Sequence, residues 1–275
     1  MMMDAAPTPL APPRPTSALD DFKVAAVWGV LAAVSAAAVM PYLAQLMPGR
    51  FARLPIPFAA LVAIQSVQAL VLVGLLAWLG LCMGHRIGLG SPLLQAWLIR
   101  RVRPDWSQLR PGRSALLGGA AGLGVVALSA LVDPLLPPML NPPAETGARV
   151  SALNGLLASL YGGIAEELQL RLFLMTLLVW VVARLRRNPP SARTYWAAAG
   201  VAALLFGAGH LPAAAHVWGL DASVVARTLL LNGIAGLVFG WLYWKRGLEM
   251  AMLGHFCADL VLHVAVPLSG LGMPR

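Results

Sequence analysis

Apolar and polar positions along this chain alternate over stretches much longer than a helical turn. Long apolar runs occupy residues 24–47, 57–84, 114–138, 150–183, 195–210, 222–244 and 248–268, separated by short polar or basic stretches. A hydrocarbon core is crossed by ~20 helical residues rising 1.5 Å each. The pattern therefore predicts an all-α fold, a polytopic transmembrane helical bundle. Seven spans is the plain count. Runs 57–84 and 150–183 are longer than one crossing needs, which calls for tilt, protrusion or a break and leaves room for an eighth, shorter segment.

The flanking stretches divide the chain. Residues 1–22 are rich in Pro and Ala and lack the basic start and apolar middle of a signal peptide, so a disordered N-terminal tail is expected, with residues 23–275 as the integral membrane domain. Residues 91–113 mix Leu and Trp with five arginines, a composition that fits a helix lying in the interface or a solvated basic loop. Composition agrees with a membrane protein. The chain is 59% hydrophobic and 11% charged, against about 25% charged in soluble domains.

A net charge of +9 raises nucleic acid as a partner, but the basic residues sit in short loops between apolar runs, which is topology information, and no nucleic-acid partner is expected. Loops 85–113, 184–193 and 245–246 hold twelve Lys and Arg, and the alternate loops 48–56, 139–149 and 211–221 hold three, placing the N terminus in the cytoplasm. The expected location is an integral membrane one, taken as a bacterial inner membrane, with membrane lipid as the surrounding partner. Cys82 and Cys257 fall far apart in apolar runs and read as small core residues. The glycines of 118–124 and 233–240 read as close-packing positions.

Against this background Tyr161–Arg171, YGGIAEELQLR, is anomalous. It places Glu166, Glu167 and Arg171 inside an apolar run, where each ionised group costs from ~2.5 to more than ~10 kcal/mol unless it is paired, hydrated or used. Glu167 and Arg171 have the favoured spacing of a helical ion pair. On an α-helix Glu166 is turned about 100° away from them, free for proton transfer. His210 ends the fifth run, just before Leu211-Pro212, and His255, Asp259 and His263 recur at intervals of four along the last one. Glu166, His210 and His255 thus come from three helices. A carboxylate that activates water beside two orienting imidazoles, or a zinc ion held by the same three side chains with an open position, are both consistent with that set. No H-E-x-x-H motif is present.

The ordered motifs Glu166-Glu167-x-x-x-Arg171, Phe206-x-x-x-His210 and His255-x-x-x-Asp259 resemble those of the CPBP family. That family groups the second type of CAAX prenyl endopeptidases with bacteriocin-processing or bacteriocin-immunity (Abi) proteins. The similarity covers residues 150–268. It implies a glutamate- or metal-dependent intramembrane endopeptidase acting on a membrane-associated or prenylated protein or peptide. In that reading Glu166 activates water, His210 holds the water or a metal, and His255 with Asp259 binds the oxyanion or a ligand. Glu167 and Arg171 take the supporting positions.

The chain departs from the family at two places, with Leu170-Arg171-Leu172 where Phe-Arg-Gly is frequent and Asp259 where Asn is frequent. An ionised Asp accepts hydrogen bonds but donates none, which favours metal binding or orientation of His255 at that position. Path lengths raise a second difficulty. Counted from the cytoplasmic ends, Glu166 and His210 lie about 27 and 25 Å along their helices and His255 about 14 Å. Two other function classes fit the residues: a non-catalytic scaffold or immunity protein with a packed polar network, and a small transporter using the carboxylates.

Overall fold

The computed structural model describes residues 17–270. Most of the expected tail, residues 1–16, lies outside the described residues, but the expectation fails for 18–22, which are helical. Ser17 accepts from the Asp20 amide, and Asp20 and Asp21 occupy the first turn, so the helix starts with a cap and favourable charge.

Among the described residues, seven helices are long and apolar enough to cross a membrane. They are α1 (Ala18–Leu46), α2 (Phe58–Gly84), α3 (Pro111–Val132), α4 (Ala148–Arg186), α5 (Ala192–Trp218), α6 (Ala222–Arg246) and α7 (Leu248–Ser269). No strand occurs among the described residues. The 39 residues of α4 contain no eighth span; the helix continues through π-helical turns at Gly162–Glu166 and Leu168–Met175. α5 also outruns its apolar stretch. It carries Pro212 internally and ends at Trp218, so His210 and His216 are helical where a span end and an outer loop were expected.

Hydrogen bonds and ion pairs sort the connections into two ends. At the first, Trp78 Nε1 donates to the Ala18 carbonyl at 3.0 Å, His85 Nε2 meets Asp21 at 2.7 Å, and Leu248 N donates to the Gly90 carbonyl at 3.1 Å. At the second, Gln45 Nε2 donates to Ser151 Oγ at 3.0 Å and Asn154 Nδ2 to Gln45 Oε1 at 2.8 Å. Arg227 belongs to this end and pairs with Asp133 at 2.7 Å. Asp221, nearer to Arg227 in the chain, instead caps α6 by accepting from Val224 N and Ser223 N, and those bonds hold its carboxyl below the ordinary range.

The basic stretch 91–113 is neither one interfacial helix nor an open loop. It breaks into short turns, Pro92–Gln95, Ala96–Arg100 and Trp106–Leu109, with left-handed backbone at Arg101 (φ 53°) and Arg110 (φ 49°). Buried Ser91, Leu94, Gln95, Ala96 and Leu109 pin it to the first end of the bundle. The small-residue stripes do pack helices closely. A Cβ on Gly118 would collide with the Gly254 backbone, and one on Gly155 with that of His263.

Candidate active site

α4, α5 and α7 bring Glu166, Glu167, Arg171, His210, His255 and Asp259 into one polar cluster. Its base is fully buried. Glu167 Oε1 faces Arg171 Nη1 at 2.9 Å, and both side chains have zero exposure. Arg171 also donates from Nη2 to the Gly236 carbonyl at 3.1 Å, and its guanidinium lies 5.0 Å from the Phe206 ring and 5.5 Å from the Phe239 ring. Two aromatic faces and a carbonyl thus help replace the hydration this cation loses.

Glu167 does more than the expected ion pair. Its Oε1 also stands 2.8 Å from His255 Nδ1. A carboxylate accepts, so Nδ1 carries the proton and Nε2 turns to the other side. Phe239 stacks on the His255 ring at 4.3 Å and Phe206 meets it edge-on at 5.5 Å, fixing its plane. The same logic applies to His210, whose Nδ1 lies 2.9 Å from the Phe206 carbonyl, one turn back on α5, which also makes Nδ1 the donor there.

Both Nε2 atoms therefore point at Glu166. Oε1 lies 4.0 Å from His210 Nε2, and Oε2 lies 3.8 Å from His255 Nε2. Unequal path lengths do not keep the groups apart. His210 folds back along its own helix to the Phe206 carbonyl, and the Glu166 carboxylate spans between the two rings. These separations are too long for direct hydrogen bonds and suit a bridging water or substrate oxygen. The cluster is graded in access, with side-chain exposure of 39% at His210, 23% at Glu166 and 4% at His255.

Asp259 Oδ1 stands 3.7 Å from His255 Nε2 and 4.0 Å from His263 Nε2. His263 Nδ1 in turn reaches Tyr42 Oη on α1 at 3.4 Å. Sequence reasoning missed Tyr42 altogether; a tyrosine among the apolar residues late in α1 was the only available signal. Gly162 matters for what it lacks. A Cβ there would fall on Asp259 Oδ2 and close to His255 Nε2, so the missing side chain is what lets α7 bring these groups against α4.

Glu166, His210 and His255 are donor types that suit zinc. As placed they do not fit such a centre: among the described residues no three His, Cys, Asp or Glu side chains form a group that could hold a metal ion.

Comparison with known proteins adds an independent line. Residues 148–261 match the family model described as Rce1-like, type II CAAX prenyl endopeptidase. Neither the curated proteins nor the solved structures contain a match to the chain. The matched segment begins with α4 and includes all six residues of the cluster, leaving α1 to α3 outside it. Motifs and geometry agree with that match, so residues 148–261 resemble the CPBP family, the group that includes the CAAX-type intramembrane proteases.

Proposed function

We propose that the protein is an intramembrane endopeptidase that hydrolyses a peptide bond in a membrane-associated protein or peptide, using water activated by Glu166. The observation that carries this reading is the convergence of two imidazole Nε2 atoms on one partly accessible carboxylate, at 4.0 and 3.8 Å. A water in that gap has a base on one side and two ring nitrogens to orient it.

The placement supports a general-base hydrolysis. Glu166 takes a proton from water as its oxygen attacks the scissile carbonyl carbon. The resulting oxyanion is stabilised by an imidazolium Nε2–H, for which His255 is the better held ring because Glu167 fixes its Nδ1–H. Collapse breaks the C–N bond, and the proton held by Glu166 passes to the leaving amine. Asp259, 3.7 Å from His255 Nε2, is too far for a direct hydrogen bond and favours the imidazolium by its charge, leaving Nε2–H free for the oxyanion, a role that Asp can fill although it cannot donate as Asn does. The end of the molecule that carries the twelve basic loop residues faces the cytoplasm in this reading.

The test is cleavage by the purified full chain in liposomes of a membrane-anchored peptide, presented with and without a prenylated CAAX terminus. Glu166→Ala and His210→Ala are expected to abolish turnover while leaving the protein folded. Unchanged turnover in both variants overturns the assignment. Loss of activity on chelation that zinc restores would replace water activation by Glu166 alone with a metal mechanism.

A further inference from the structure

A second polar feature lies away from the catalytic cluster, at the first end of the bundle. The broken segment 85–110 folds over the α6–α7 turn and encloses a cavity of about 300 Å³ whose polar lining is Gln95, Arg100, Arg103, Asp105 and Gln108, with Gly247 at its floor. Gly247 joins two membrane-crossing helices, so the cavity stands where their ends meet the headgroup layer.

Charge and hydrogen bonding make it an anion site. Arg100 and Arg103 contribute two positive charges, with Arg101 beside them. Asp105 supplies one negative charge, and it is turned into local structure. Its Oδ1 accepts from Ser107 N at 3.0 Å and from Ser107 Oγ at 2.6 Å, bonds that also lower its pKa. Gln95 is 1% exposed, and its Nε2 has no protein partner, a costly state for a buried donor.

The floor is rigid. Glu249 Oε1 accepts from Ser91 Oγ and from Leu94 N at 2.9 Å, and Trp28 Nε1 donates to Ser91 Oγ at 3.1 Å, so Gly90–Gln95 are fastened to both α7 and α1. Trp97 and Trp106 do not line the cavity but adjoin lining residues Ala96 and Asp105 in the chain, and they are exposed at 69% and 55%, as suits side chains that anchor in the headgroup layer. A free solute gains nothing from such anchors, whereas they hold the segment at the depth where a lipid presents its phosphate.

We propose that this cavity binds the phosphate of an anionic phospholipid headgroup, with Arg100 and Arg103 supplying charge and Gln95 Nε2 donating a hydrogen bond. The site is independent of the peptidase reading and does not require a known substrate.

The experiment uses the full chain in detergent, titrated with phosphatidylglycerol, phosphatidylcholine or inorganic phosphate, read by thermal shift and by native mass spectrometry. Phosphatidylglycerol is expected to bind about tenfold tighter than phosphatidylcholine. R100Q/R103Q is expected to lose that preference, and Gln95→Met, apolar and of similar length, to weaken binding by about tenfold. R50Q/R53Q, which removes the same charge from the 48–56 connection, should leave it unchanged. Equal affinity for the two lipids, an equal loss in R50Q/R53Q, or full occupancy by inorganic phosphate at lipid-like concentrations would overturn the proposal. So would a Gln95→Met protein that binds phosphatidylglycerol as the wild type does.

Discussion

Two carboxylate centres sit among apolar helices in this molecule, and they differ in what they leave reachable. Glu249 is buried and engaged through Oε1, which accepts from Ser91 and Leu94 with Trp28 donating to Ser91, while its Oε2 is buried without a protein partner. It fastens a loop. The cluster on α4 has an equally closed layer, Glu167 with Arg171 and His255, but stacks on it an open one in which Glu166 and His210 retain exposure. An acidic residue among membrane helices is therefore not by itself a mark of chemistry. A buried pair that orients a second, accessible group is the stronger sign, because it spends desolvation to fix geometry elsewhere.

The comparison breaks if the two centres respond alike to mutation. Glu166→Ala should reduce cleavage by about 10²–10⁴-fold with little change in melting temperature, measured on the same preparation. Glu167→Ala should cost about 3–5 kcal/mol, because it leaves Arg171 buried and unpaired, and should also abolish activity in the molecules that remain folded. Unfolding monitored in mild detergent would show it.

Gly162→Ala should cost about 1–3 kcal/mol by driving Asp259 and His255 off their positions, with a large loss of turnover. Gly209→Ala, on α5 with nothing within 4 Å of the added carbon, serves as its neutral control. Glu249→Ala should show the reverse of Glu166→Ala, a stability loss of about 1–3 kcal/mol with turnover per folded molecule retained. The smallest effect is expected for Tyr42→Phe, which deletes one 3.4 Å contact worth about 0.5–1.5 kcal/mol. A shift in its pH–rate profile would extend the working site to α1, and an unaltered profile would confine it to α4, α5 and α7.

The seven spans were legible because lipid imposes one requirement, a long apolar run, that sequence displays directly. The residues of the polar cluster were legible for the converse reason, since charge at such positions has few explanations. Geometry was not. The 100° separation of Glu166 and Glu167 assumed an α-helix, whereas these residues lie in and between π-helical turns. Pairing across helices was equally hidden: Arg227 with Asp133 and Glu167 with His255 join positions 94 and 88 residues apart. Helix ends were misjudged where polar residues are tolerated inside a helix, as at His210 and Pro212 in α5. Glu249 drew no notice, because a carboxylate in a first turn reads as dipole compensation, and only the fold reveals the serine and amide that enclose it.

The contacts of α1 with the matched segment bear on how this protein can be divided. Tyr42 reaches His263, and Gln45 bonds both Ser151 and Asn154, so a helix outside the recognisable family segment completes the packing of that segment's first and last helices. A boundary drawn by similarity is here not a boundary of cooperative folding. Excising residues 148–261 would bare polar side chains to lipid, and a chimaera exchanging active segments between relatives would have to carry α1 along with them.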